Sequence, residues 1–274
     1  MKKIAIILAI AMLVCAFASC AKEKQDFTSI NDYVAPSTTH KIETGTLSFK
    51  DVGGEFATIT DYVGLYEEHS VVIPAKVGDE VRGERTVTAI DNEAFYYTTS
   101  AKSIIIPNTV TSIGDWAFAG CTSLETIVIP ASVTSIGKGA FMGCTALKSV
   151  VFEGEELTSI SEYTFMNCTS LESINVPKSV MSIGTFAFNN CEKLAGFTAS
   201  ESLKSIGDMA FYGCTALNSD GALTLSASIE KIGEFAFSGI NKEFISAPAD
   251  SYAAKYVAEM RDDNAETEET TDAE

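Results

Sequence analysis

The chain has 274 residues, with 37 acidic and 19 basic side chains, a formal net charge of −18 and 46% hydrophobic residues. A chain this acidic is a poor match for nucleic acid, whose phosphates need cations, and it offers no polybasic contact to an anionic membrane. The apolar fraction is enough for a continuous core, and the length fits one elongated domain.

Residues 1–19 stand apart from that domain. Lys2 and Lys3 precede an apolar run from Ile4 to Phe17, shorter than the ~20 residues of a membrane-spanning helix. A charged start and a short apolar stretch read as a secretory signal peptide. Its removal takes two lysines and no acid, which leaves a charge of −20. The run closes on Phe17-Ala18-Ser19-Cys20, which resembles a bacterial lipobox, with Phe17 where that motif usually carries Leu. The resemblance implies a thioether-linked diacylglycerol on Cys20, cleavage before it and, often, acylation of the freed amine. Several acyl chains anchor stably where one is marginal. The alternative is plain signal cleavage with Cys20 incidental. Ala21, not Asp, follows the Cys, so no inner-membrane retention signal is evident. Residues 20–44 are otherwise polar and patternless, and read as a flexible tether.

Residues 45–86 predict an N-terminal β cap. Leu47, Phe49 and then Phe56, Thr58 and Thr60 suggest two strands, with Gly53-Gly54 turning between them. Val71-Val72-Ile73-Pro74 predicts a first strand of the type that follows.

From residue 87 to 246 one pattern returns seven times. Val110–Thr126 reads VTSIGDWAFAGCTSLET, and Val133–Ser149 reads VTSIGKGAFMGCTALKS. The marker is a Phe at 95, 118, 141, 165, 188, 211 and 237, at intervals of 23, 23, 24, 23, 23 and 26 residues. A fixed period of this length is the mark of a solenoid, in which stacked units bury what no unit can bury alone. Each unit divides into three pieces. L-x-x-I-x-I, as at Leu124, Ile127 and Ile129, is a half-buried strand pattern, and Pro107, Pro130 and Pro177 end three such strands. V-T-S-I-G is a short extended run whose Gly (114, 137, 184, 207, 233) is expected to permit a sharp turn. A-F-x-G-C is expected to form a helical turn with Ala and Phe inward. Unit five lacks the Ile-Pro step at Leu194-Ala195-Gly196-Phe197, and unit six carries extra residues near Ser219–Ala222, so both coils are expected to bulge.

This order of I-P, V-T-S-I-G, A-F and G-C closely resembles the BspA-like leucine-rich repeats of bacterial surface proteins, over about Val87–Ile245. The resemblance implies a β-rich, right-handed solenoid with parallel strands and short helical turns. It also implies a role in binding or adhesion and no catalytic residue.

Residues 247–260 predict a C-terminal capping helix: Pro248 and Ser251 mark its start, and Tyr252, Tyr256, Val257 and Met260 recur at helical spacing. Residues 261–274 hold seven acids and no base after 261, and predict a disordered acidic tail.

Five cysteines, Cys121, Cys144, Cys168, Cys191 and Cys214, each follow the marker Phe by three and form one column. Metal clusters want short C-x-x-C spacings or His partners, and neither is present. Stacked coils about 4.8 Å apart do not exclude disulfides, so that reading stays open beside a ladder of buried thiols filling the coil turns. His40 and His69 read as solvated loop residues with no Cys or carboxylate at recognisable spacing. Asp51-Val52-Gly53-Gly54 lacks the Lys of a phosphate loop. The sequon at Asn167-Cys168-Thr169 lies inside a repeat and is discounted. No catalytic residue, metal or cofactor is indicated.

Two surfaces remain for binding. The first is the strand face: Ser103, Ile105, Thr126, Val128, Ser149, Val151, Ser173, Asn175, Gly196 and Thr198, small and uncharged, suited to an extended segment of a partner or simply to a sheet. The second is the column two residues before the marker, where Trp116, Tyr163, Phe186, Met209 and Phe235 are large and apolar. Exposed, they make an interaction patch; folded down, they cover the coil turns. The expected function is a lipid-anchored surface protein that binds a protein or glycan of a host or neighbouring cell. The rival is a structural protein of the bacterial envelope without a specific partner.

Overall fold

The computed structural model describes residues 38–43, 45–64, 69–79 and 83–260. The signal peptide, Cys20, the tether before residue 38 and the acidic tail all lie outside the described residues.

The repeats wind into a parallel-strand β-solenoid whose coils have three sides. One side is the Ser-Ile column. Ile90, Ile113 and Ile136 pair in register, and so do Ile160, Ile183, Ile206 and Ile232. A second side stacks the L-x-x-I strands, with Ile104, Ile127, Val150 and Ile174 in register. Like residues pair with like because one unit's buried set must fall on the next unit's. The third side carries the marker phenylalanines. All seven are at most 1% exposed, and successive rings stack at 5.1–5.6 Å between centroids.

That spine ends in tyrosines. Tyr62 stacks on Phe95 at 5.2 Å, and Tyr256 meets Phe237 edge-on at 6.1 Å. Each has an apolar body to cover the last ring and a hydroxyl that must find a partner. The Tyr62 hydroxyl lies 2.8 Å from His69 Nε2, and the Tyr256 hydroxyl donates to the Gly233 carbonyl at 3.0 Å. His69 is therefore not a solvated loop residue; it sits in a strand and shares a hydrogen bond.

The third side is not the expected helical turn. Trp116, Phe118 and Gly120 send their N–H groups across to the carbonyls of Lys138, Ala140 and Met142 in the next coil, at 2.7–2.8 Å. Ala119 and Cys121 instead turn back three residues, to Trp116 and Phe118. A helix would aim every N–H at the residue four before it; here alternate N–H groups bind neighbouring coils together. The alternation requires left-handed backbone at two places, two residues before the marker and two after it: Trp116 has φ +57° and Gly120 +74°.

The glycine of V-T-S-I-G has a different role from the expected one. None of Gly114, Gly137, Gly184, Gly207 and Gly233 has positive φ; a Cβ on any of them would lie 2.4–2.5 Å from a backbone nitrogen of the preceding coil. They permit close approach. Ser161 stands at this position in its coil, and there the Ser-Ile column divides into two sheets, between Ser135–Ile136 and Ser159–Ile160. The Ile136 carbonyl takes the Ser161 hydroxyl at 2.6 Å, where the Ile113 carbonyl takes the Gly137 N–H.

Coil five interrupts the other column, between Ser173–Ile174 and Phe197–Thr198. Phe197 fills the Ile slot, 4% exposed, with its ring 4.8 Å from Phe211. The extra residues of unit six, Ser219 to Gly221, bulge into solvent.

Before the repeats, strands β1 (Thr38–Ile42), β2 (Gly45–Asp51) and β3 (Phe56–Gly64) form an antiparallel meander. The expected tether is thus shorter than 20–44, because residues 38–42 pair with β2 through a tight Ile42–Gly45 hairpin. β3 then lies parallel to β6 (Gly83–Ile90), the first strand of the Ser-Ile column. β4 (His69–Val72) pairs parallel with Ala101–Ile105, and β5 (Lys76–Asp79) folds antiparallel onto β6. At the far end, helix α1 (Tyr252–Glu259) starts where Ser251 Oγ accepts the Ala254 N–H at 3.0 Å. Ala253 is its fully buried residue, while Tyr252 is exposed.

Candidate interaction surfaces

The parallel pairing brings Ser103, Thr126, Ser149 and Ser173 into one row, with Val128 opposite Val151. Ser103, Ile105, Thr126, Val128, Ser149 and Val151 are half-buried; Ser173, Asn175 and Thr198 are exposed. Thr198 lies past the break in the column and does not continue the row. Beside the row, Lys102, Glu125, Lys148 and Glu172 alternate in sign along the coils, each N–H bonded to the carbonyl of the residue before it in the series. Lys148 Nζ meets Glu125 Oε2 at 2.7 Å. That hydrogen bond, and then the ammonium charge, holds the Glu125 carboxyl below the usual range. This face is a satisfied, mixed-charge sheet surface.

The turn side is different. Trp116, Tyr163, Phe186 and Met209 are half-buried, and Phe235 is 59% exposed. Their side chains lie along the coils as an outer row. Tyr163 and Phe186 stack at 5.3 Å and 11°. Trp116 reaches Tyr163 at 6.3 Å across the intervening coil. It can do so because that coil has Gly139, where a Cβ would fall 2.4 Å from the indole. Lys138 lays its ammonium 4.9 Å from the Tyr163 ring centroid and pairs with Glu162 Oε2 at 2.7 Å.

All these residues occupy left-handed backbone, with φ of 57° at Trp116, 59° at Tyr163, 57° at Phe186, 51° at Met209 and 54° at Phe235. Such φ is disfavoured for a bulky side chain and natural for Gly or Asn. The second left-handed column, two residues after the marker, follows that rule: Gly120, Gly143, Asn167, Asn190, Gly213 and Gly239, with Tyr97 as the exception. Within it Asn190 Nδ2 donates to Asn167 Oδ1 at 3.0 Å, so the sequon's amide is engaged in a ladder. Sequence reading identified the apolar column but missed its backbone strain and the gap at Gly139. The lone Gly among large residues was the available signal.

The five cysteines are free and fully buried. Each thiol donates to the carbonyl of the marker Phe one coil earlier, at 3.1–3.2 Å. Burial pushes the Cys168 thiol up to about 12 and raises Cys144 and Cys191 as well. Such thiols carry little thiolate and little reactivity.

A shallow groove of about 250 Å³ lies on the Ser-Ile side, lined by Ser182, Ser205, Asp208 and Lys231 among others. Among the described residues there is no cluster of His, Cys, Asp or Glu that could hold a metal ion, and no helix long and apolar enough to cross a membrane.

The family described as "BspA type Leucine rich repeat region" matches in six copies, over residues 88–218 and 134–256. A leucine-rich-repeat protein of T. pallidum (TpLRR) is similar in structure, with TM-score 0.59 and 32% identity over 68% of this chain and 81% of that one. A leucine-rich-repeat protein from Eubacterium ventriosum is 30% identical, with TM-score 0.52, over 62% of this chain and 42% of that one. No curated protein matches the sequence. Repeat order, in-register columns and solved relatives agree: the chain belongs to the BspA-type leucine-rich-repeat family.

Proposed function

We propose that this is a cell-surface protein, anchored by lipid on Cys20, whose solenoid recognises another protein through the turn side. Membership of a repeat family consistent with protein–protein interaction supports the class of function. One observation carries the choice of surface. Of two columns that need left-handed backbone, one uses Gly and Asn except at Tyr97, and the other, apart from Glu93 and Gly139, uses Trp, Tyr, Phe and Met. Each bulky residue there costs about 1 kcal/mol of strain, and Phe235, 59% exposed, gains no more than about that by burial. A large, continuous apolar row kept at that cost fits a contact surface.

The structural reading has its own support, since Trp116, Tyr163 and Phe186 stack on one another and strengthen the wall of the solenoid. Replacing Phe186 and Phe235 by Ser separates the two. The proposal expects loss of the protein captured by cross-linking on living cells by a variant that still folds, with a melting temperature lowered only by the lost Tyr163–Phe186 stack. Unchanged capture would favour the envelope role. Labelling with radioactive fatty acid, wild type against Cys20→Ser, tests the anchor: equal label in both would remove it.

A further inference from the structure

The outer row contains one worked example of how it holds a cation. The Lys138 ammonium sits over the Tyr163 ring and against the Glu162 carboxylate. The ring face attracts the charge, the carboxylate neutralises it, and together they are the chemistry that recognises an ammonium group. The hydrogen bond with Glu162 raises the Lys138 pKa, in keeping with a stabilised cation.

Repeat symmetry presents the same three positions again at the end of the row. Lys138 stands three residues before its marker, while Glu162 and Tyr163 stand three and two before the next marker. At the end of the row the same three positions hold Asp208, Glu234 and Phe235. Where the chain places its own lysine at Tyr163, it places a carboxylate at Phe235. Asp208 is held there: its Oδ1 accepts the Glu234 N–H at 2.9 Å, which sets the carboxylate beside the backbone that carries Phe235. Glu234 is exposed, and the Phe235 ring is the most open of the row at 59%. Lys231 lines the groove together with Asp208, and Lys255 stands on α1 beside Tyr256, whose hydroxyl bonds the Gly233 carbonyl.

We propose that the exposed Phe235 ring, next to Glu234 in the chain and one coil on from Asp208, is the docking point for a lysine side chain of a partner protein. The inference rests on the turn side being the interaction surface, and it adds the chemistry of the partner. Ring and carboxylates fit a cation, and an apolar row leading up to them fits the segment that carries it.

The test uses the full chain and a fluorescein-labelled peptide of alternating Lys and Ser, with its acetyl-lysine counterpart, followed by anisotropy at low and near-physiological salt. The lysine peptide is expected to bind and the acetylated one not. Phe235→Leu keeps apolar bulk and net charge but removes the ring face, and is expected to weaken binding about 2- to 5-fold. Glu234→Gln is expected to weaken it by a similar factor. Glu192→Gln, an exposed acid in another column, is expected to change it less than about 2-fold. Should Phe235→Leu prove unstable, the surface change at Glu234 carries the test. Binding by Phe235→Leu equal to wild type overturns the proposal, as does an equal loss in Glu192→Gln and Glu234→Gln, which would mean that the peptide reads net charge alone. No binding of the lysine peptide also overturns it. The wider reading then stands or falls separately, on whether Phe186→Ser with Phe235→Ser loses its captured partner.

Discussion

The molecule carries two aromatic rows only two residues apart in every coil. The inner row is seven phenylalanines, uniform, buried and stacked at 5.1–5.6 Å. The outer row runs from Glu93 through Trp116, Gly139, Tyr163, Phe186 and Met209 to Phe235, mixed in kind and, apart from the buried Gly139, half-buried or exposed. The inner positions must tile: a ring of another size would leave a void or a clash that stacking repeats down the axis. The outer positions have water on one side and tolerate variety, yet they hold bulky residues on backbone that disfavours them. Uniformity therefore marks what the fold requires, and strained variety marks what it does not.

Breaking the inner row should cost most. Phe165→Ala removes a fully buried ring with stacked neighbours on both sides, 5.5 Å away in each direction, and is expected to lose about 3–5 kcal/mol. Tyr163→Ala, two residues away and half-buried, is expected to lose about 1–2 kcal/mol at most, since the ring has less contact to lose; the left-handed strain stays, because Ala keeps its Cβ. Urea denaturation of both variants measures the contrast. Equal losses would erase the distinction between the rows.

The next effect belongs to the thiols that tie the inner row together. Cys168 has its folded pKa raised by burial to about 12, against a usual value of 9.0. A raised folded pKa means that the stability linked to the neutral thiol is complete below pH 9 and lost as pH rises towards 12. Stability measured from pH 8 upward is expected to fall through that window by about 1.4 kcal/mol per pH unit for one such thiol. A Cys168→Ala variant should show a shallower fall. An identical slope in the variant would place the alkaline loss elsewhere.

The inner row was legible before any coordinates, because a Phe recurring every 23 or 24 residues has to stack once the coils do. The strand columns were legible for the same reason, and so was an irregularity where Ile-Pro fails, though it was expected as a bulge and is a break in the column at Phe197. Two things were not. The third side looked helical because Ala-Phe-x-Gly-Cys has helix-like apolar spacing, and only the coil-to-coil hydrogen bonds reveal its alternation. The break at Ser161 was not foreseen, because the need for Gly at that step comes from the backbone of another coil and not from the local turn. Of the outer row, its place was readable and its strain was not: φ at Trp116 is dictated by bonds to Lys138, one coil away.

A smaller effect probes how the outer row is assembled. Gly139→Ala puts a methyl where the Trp116 indole lies, 2.4 Å from its ring atoms, on backbone at φ +62°. Left-handed strain of about 1 kcal/mol is expected, together with displacement of the indole away from Tyr163. The chain has a single tryptophan, so its emission reports on that ring alone and should shift to the red. Unshifted emission would mean that the indole does not lie across the glycine.

The smallest effect is the most telling, because its size is the point. Phe235→Gly removes a 59% exposed ring and relieves its left-handed strain, worth about 1 kcal/mol. The lost apolar contact and the added freedom of the unfolded chain each cost about as much. The net change in stability is expected within about 1 kcal/mol of zero. Gly143→Ala is the mirror image. It adds a side chain at φ +71°, where the nearest atoms are 3.9 Å from the new Cβ, so strain acts without a clash; it is expected to lose about 1 kcal/mol. Thermal melts of the two compare the same backbone need met in opposite ways. If Phe235→Gly instead lost as much as Phe165→Ala, the outer row would be part of the fold's support, and an aromatic at position 235 would need no partner to account for it.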